Sequence, residues 1–132
     1  MPTQLFDHEK LDIYRLELAF IQWLSPLMSE CKVAEAPSRE ILDQIDRASL
    51  SAFLNTAEGN GKRQGKQRAR FFDDARGSLF ECAACLDAMV AKGLVAVERI
   101  HEGKAMLLRV VSLLTRMVDG FEGNGGRVRE EE

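Results

Sequence analysis

Between Gln44 and Leu86 the chain reads as two helical segments joined by a short, glycine-broken basic stretch, and this pairing constrains the fold more than any other feature. A run rich in small residues ends at Glu58-Gly59, where Gly59, Gly61 and Gly65 interrupt it. Glycine weakens a helix and readily takes up turn conformations, so a stop is expected there. The next run carries Phe71 or Phe72, Ala75, Leu79, Cys82, Leu86 and Met89 at helical spacing. Helices joined by so short a link lie antiparallel. With ends near Glu58 and Lys66, facing residues have numbers summing to about 124, because both helices rise equally per residue.

That register sets Gln44 opposite Glu81. It gathers Gln44, Arg47, Ser51, Asn55, Glu58, Arg76, Ser78 and Glu81 into one polar cluster among small residues, with Arg76 near Ala48 and Ser51. Two readings fit the cluster. One is a hydrogen-bonded network that fixes helix register, since buried charges need partners. The other is an anion or small-ligand pocket.

The flanking sequence completes the architecture. Helices are expected over about 7–31, 38–58, 66–92 and 97–121, with Ser38 as an N-cap and Gly93 just past the end of the third. Ile41, Ile45 and Ala48 repeat at core spacing in the second helix, and Leu107, Val111, Leu114, Val118 and Phe121 in the fourth. The glycine-rich polar segment 122–132 reads as a disordered tail. The expected fold is all-α, an antiparallel up-down-up-down four-helix bundle over residues 1–121 of the 132.

Helix 1 carries two apolar sets, one of Leu11, Tyr14, Leu18 and Ile21 and another of Ile13, Leu16, Phe20, Trp23 and Leu27. Together they exceed the stripe of about 100° or slightly more that a bundle helix buries. The second set is therefore expected to form an oligomer interface. Pro26 should kink or end the helix, since it removes one backbone donor.

Charge is uneven. Residues 1–58 carry ten acids and five bases, 59–76 six bases and two acids, and 77–132 nine acids and seven bases. The chain is acidic by three charges, so its positive charge is confined to the hairpin tip, where Lys62, Arg63, Lys66, Arg68 and Arg70 cluster. Such a patch is either a set of phosphate contacts for RNA or DNA or a solvated flexible tip. Gly59-Asn60-Gly61-Lys62-Arg63 is a poor phosphate loop, because it follows a helix and lacks the Ser/Thr after its lysine.

Other chemistry finds little support. Cys82 and Cys85 form a CxxC, but mid-helix and with no second ligand pair, so small core residues are the expectation rather than zinc or redox chemistry. The adjacent acids Asp73 and Asp74 point apart on a helix, and no nucleophile–base–orienter set is visible. No catalytic residue, metal or cofactor is expected, and the protein reads as a non-enzyme. Three cysteines, an acid-bearing N-terminus and the lack of an apolar run of about 18–20 residues imply a cytoplasmic protein without membrane contact.

Gln44, Arg47-Ala48, Ser51 and Asn55-Thr56-Ala57-Glu58-Gly59, followed by Phe71, Ala75-Arg76-Gly77-Ser78, Glu81 and Leu86, resemble in order and spacing the four-helix-bundle family of the 23S rRNA intervening-sequence proteins. That family is related to the accessory variability determinant of diversity-generating retroelements. The resemblance implies a bacterial bundle assembled as a homopentameric ring. It also implies partners of two kinds, nucleic acid on basic surfaces or a protein such as a reverse transcriptase. Two functions are carried forward: an oligomeric bundle that binds nucleic acid through its basic tip, and a protein-interaction adaptor or scaffold with no nucleic-acid role.

Overall fold

A computed structural model describes the backbone over residues 2–33 and 39–131, and side chains over 12–31 and 39–120. Four helices follow in order: α1 (Pro2–Val33), α2 (Arg39–Asn60), α3 (Gly65–Ala91) and α4 (Val97–Glu131). Each packs on its sequence neighbours and α1 closes the circuit on α4, while the backbones of the diagonal pairs stay further apart among the described residues. Paired contacts run in opposite directions along α2 and α3 and along α3 and α4. Gln44 meets Glu81 and Ser51 meets Ser78 between α2 and α3, Asp87 meets Lys104 and Arg76 meets Thr115 between α3 and α4, and Glu30 meets Arg99 between α1 and α4.

The ends have local causes. Pro2 opens α1, where its missing N–H would have no partner anyway. Helix α1 continues unbroken past Pro26, so the proline does not end it. Helix α2 closes through Gly61 N–H donating to Glu58 O at 3.0 Å and Lys62 N–H donating to Gly59 O at 3.1 Å. After Ala91, Gly93 takes φ +75°, and the amides of Gly93 and Leu94 donate back to Val90 O and Met89 O. This left-handed cap explains why the break falls at a glycine. Helix α4 runs to Glu131, beyond the expected end at Phe121; no proline stands in that stretch to break it. The expected N-cap Ser38 lies outside the described residues, as do the side chains of Leu11 and Phe121.

The core draws on all four helices. Phe20, Leu24 and Leu27 come from α1, Ile45 and Ala52 from α2, Phe72, Leu79 and Leu86 from α3, and Leu107, Leu114 and Met117 from α4. Burying one such large side chain contributes about 1.5–3 kcal/mol. The α2–α3 seam is the most extensive, lined by small residues (Ala48, Ala52, Ala69, Ala75 and Ser78) that bring the backbones close.

Helix α1 corrects the expectation for the interface. Ile13, Phe20 and Leu27 are 0%, 1% and 0% exposed in the chain's own core, and Leu16 and Trp23 are half-buried against it. Ile13, Phe20 and Leu27 are thus unavailable to a partner, while Leu16 and Trp23 keep part of their surface exposed. Ile13, Phe20 and Leu27 lie seven residues apart, as do Glu17, Leu24 and Cys31, and these two ladders form the inward seam. The other set turns outward: Tyr14 and Leu18 are exposed, Tyr14 lying 4.5 Å, centroid to centroid, from the Phe53 ring.

Two helical glycines make opposite demands. A Cβ at Gly103 would run into the six-membered ring of Trp23, whereas one at Gly77 would meet nothing within 4 Å. Gly77→Ala should therefore raise stability by about 1 kcal/mol through helix propensity alone. Gly103→Ala should lose about 1–3 kcal/mol to overpacking despite the same propensity gain. Urea unfolding checks the sign. Fluorescence of Trp23, the single tryptophan, should shift only in Gly103→Ala. Equal signs for the two variants would contradict this packing.

Candidate functional site

The α2–α3 tip is held from beneath. Gly59 sits against Phe72, where an added Cβ would come 2.8 Å from Phe72 Cε1 and 3.0 Å from Phe71 Cβ. Phe72 is fully buried and Phe71 half-buried, so the turn is anchored to the core by the first aromatic residues of α3. The N-cap Gln64 makes no side-chain cap hydrogen bond, and no acid occupies the first turn of α3. The first N–H groups of that helix thus face solvent chemistry with a partial positive charge.

The five basic residues are not equivalent. Lys62 is tied down, its ammonium 3.5 Å from the Glu58 carboxylate and 5.2 Å from the centre of the Phe71 ring. Arg68 is half-buried and engaged within the protein. Arg63, Lys66 and Arg70 are exposed, with Lys66 and Arg70 one helical turn apart.

The polar cluster divides into separate pieces. Gln44 Nε2 donates to Glu81 Oε2 at 2.8 Å, and Arg47 Nη2 donates to Gln44 Oε1 at 3.1 Å. Further along, Ser78 Oγ donates to Ser51 Oγ at 3.1 Å, while Asn55 Nδ2 donates to Ser51 O at 2.9 Å. Glu58 turns to Lys62. Arg76 leaves the cluster altogether: its guanidinium donates to Asp73 Oδ1 and, at 3.1 Å, to Thr115 Oγ1 of α4. Position 76 borders both neighbouring helices, and a long side chain there can swing to either. What joins α2 to α3 is a pair of cross-helix hydrogen bonds that set their register, with no convergence of charge on one point.

Sequence reasoning missed Glu17. It is 2% exposed, and its carboxylate Oε2 accepts a 2.8 Å hydrogen bond from Thr56 Oγ1 of α2, while Oε1 is buried with no hydrogen-bond partner. Burial pushes its pKa up to about 8, a rise the Thr56 hydroxyl only partly offsets, so the carboxyl is mostly protonated at neutral pH. The available signal was its place on the Glu17/Leu24/Cys31 ladder.

Two surface grooves accompany these features. One of about 290 Å³ runs between α3 and α4, lined mainly by Leu79, Phe80, Ala83, Leu107, Leu108 and Val111. Phe80 and Leu108 on its walls are 57% and 68% exposed. The other, about 380 Å³, lies along α2 between Arg47 and Glu58, with Leu50 and Leu54 exposed beside Ser51 and Asn55.

Among the described residues no group of three or more His, Cys, Asp or Glu side chains is placed to hold a metal ion. Burial raises the thiol pKa of Cys82 to about 12 and lifts those of Cys31 and Cys85 as well, so the thiolate that redox or nucleophilic chemistry needs is disfavoured. No described helix is long and apolar enough to cross a membrane.

These features define an all-helical bundle protein with a cationic tip, outward apolar grooves and no positive sign of catalysis. Its sequence places it further: the profile of the 23S rRNA-intervening sequence protein family matches residues 9–116, most of the chain, and the protein belongs to that family. No match was found among curated proteins or among solved structures.

The buried carboxyl gives a pH dependence with a definite sign. Below its unfolded value of 4.5 Glu17 is protonated in both states and contributes no charge penalty. As pH rises from 4.5 towards 8, the unfolded chain loses this proton while the native chain keeps it, so stability falls, and it levels off above the folded value. The whole span is worth a few kcal/mol, roughly 5 at most. Glu17→Gln should raise the unfolding midpoint at pH 8, with the difference from wild type shrinking towards pH 4.5. A pH-independent difference in urea titrations would contradict a protonated, buried Glu17.

Proposed function

We propose that this protein is a non-enzymatic, self-associating bundle of the bacterial cytoplasm that binds nucleic acid through the α2–α3 tip. The observation that carries the reading is the concentration of charge. Residues 59–70 hold five bases and no acid on a chain of net charge −3. Arg63, Lys66 and Arg70 are exposed at the end of an anchored hairpin, beside a helix N-terminus that itself favours anions.

Self-association is supported by apolar surface at new positions, not by the α1 residues first expected. Leu50 and Leu54 face outward on α2, and Phe80 and Leu108 on α3 and α4. Two unlike patches on one chain suit a head-to-tail contact, which closes into a ring when the rotation allows. Five copies is the number the family resemblance implies. A ring would repeat the cationic tip about its axis and raise avidity for a long polyanion.

The α3–α4 groove favours a second reading, an adaptor whose partner is a protein. A reverse transcriptase is the partner implied by the related retroelement accessory proteins. One stoichiometric protein partner, together with no nucleic-acid affinity, would select that reading.

Three phosphate contacts per chain give a slope of log affinity against log salt of about −2.7, a loss of roughly fortyfold between about 50 and 200 mM. The combined variant Arg63→Gln, Lys66→Gln, Arg70→Gln should lose nucleic-acid binding in anisotropy titrations with its thermal midpoint unchanged. Wild-type affinity in that variant would remove the tip from the account. Separately, Phe80→Ser with Leu108→Gln should reduce the assembly to single chains by light scattering without loss of helicity. An assembly of unchanged mass would contradict the role given to that groove.

A further inference from the structure

Resting on the nucleic-acid reading above, we infer that the ligand of the tip is the phosphate backbone of a double helix and not a single strand. Single-strand binders combine a basic track with aromatic faces on which unpaired bases stack, each base contributing about 1–3 kcal/mol. The tip has its cations but withholds its rings. Phe71 is half-buried under the Lys62 ammonium, 5.2 Å from its ring centre, and Phe72 is fully buried. Between residues 57 and 72 there is no other aromatic residue. Among the described residues the other exposed rings are Tyr14 of α1, packed on the Phe53 ring of α2, and Phe80, two turns further along α3 in the groove shared with α4.

The shape agrees. The end of α2 is closed by backbone hydrogen bonds from Gly61 to Glu58 O and from Lys62 to Gly59 O, and that last turn is seated on Phe72 through Gly59. The outcome is a tip anchored at its base, with Arg63 in the link between the helices and Lys66 and Arg70 on successive turns of α3. A short row of cations, two of them spaced by one turn of a helix, matches phosphates held at regular spacing along a stiff duplex. The groove that runs along α2 to Glu58 is lined by Arg47, Leu50, Ser51, Leu54 and Asn55 and offers no aromatic face on which a splayed base could stack. Backbone contact is available on duplex RNA and duplex DNA alike, so the shared ligand is duplex phosphate.

The test is an anisotropy titration of the full chain against four probes: a short mixed-sequence RNA duplex, the same duplex as DNA, and one unstructured strand of each. Either duplex should bind at least about tenfold more tightly than its strand, the factor that one missing stacking contact represents. The variant Arg63→Gln, Lys66→Gln, Arg70→Gln should lose that binding. The relative affinity of the two duplexes tells which source is preferred. Single strands bound as tightly as duplexes, with binding lost in the variant, would overturn the duplex inference and leave the nucleic-acid reading standing. Failure of all four probes, or duplex binding that survives in the variant, would overturn both.

Discussion

The close approach of α2 and α3 is the constraint on which the rest of the molecule depends. Ala48, Ala52, Ala69 and Ala75 keep the seam thin, and Gly59 lets the end of α2 rest on Phe72. A larger residue at any of these points would push the helices apart and free the turn between them. The Gln44–Glu81 and Ser51–Ser78 hydrogen bonds then fix the sliding register that small apolar residues leave loosely specified. With spacing and register set, the positions of Arg63, Lys66 and Arg70 follow from the backbone.

Helix α1 is attached differently. It meets its neighbours through large side chains: Trp23 stacks near Phe20 at 5.6 Å, lies over Gly103, and is approached by the Arg99 guanidinium at 5.7 Å. Arg99 also grips Glu30 with two hydrogen bonds of 3.0 and 2.7 Å, which hold the Glu30 carboxyl below its usual pKa. Within that same helix Glu17 places a protonated acid in the core, where its carboxyl is the hydrogen-bond partner of the buried Thr56 hydroxyl. The bundle thus has a tightly built half, α2 with α3, and a half in which polar and aromatic contacts set the fit.

How much of this was legible in the sequence depended on whether a local signal was decisive. The hairpin was legible because glycine breaks and apolar spacing agree, and Gln44 meets Glu81 as its register requires. The charge of the tip was legible by composition, but not that Glu58 and Phe71 hold Lys62 or that Arg68 is engaged internally. The facing of α1 was misread because its two apolar sets are comparable in size, and only packing decides which one turns inward. Arg76 was misplaced because a long guanidinium side chain can leave the seam, and here it donates to Asp73 and Thr115 while Ser51 accepts from Asn55 and Ser78. The outward position of Leu108 was invisible for a related reason: an apolar residue beside a core stripe carries no mark of which way it turns.

Chemical-shift mapping of isotope-labelled protein titrated with a short nucleic-acid duplex addresses the central claim most directly. The account predicts perturbations confined to the turn and the first turns of α3, roughly residues 61–70, with the amides around Glu81 and Thr115 unmoved. Perturbations centred on the Phe80–Leu108 groove, or spread through the α2–α3 seam, would contradict a preformed cationic tip.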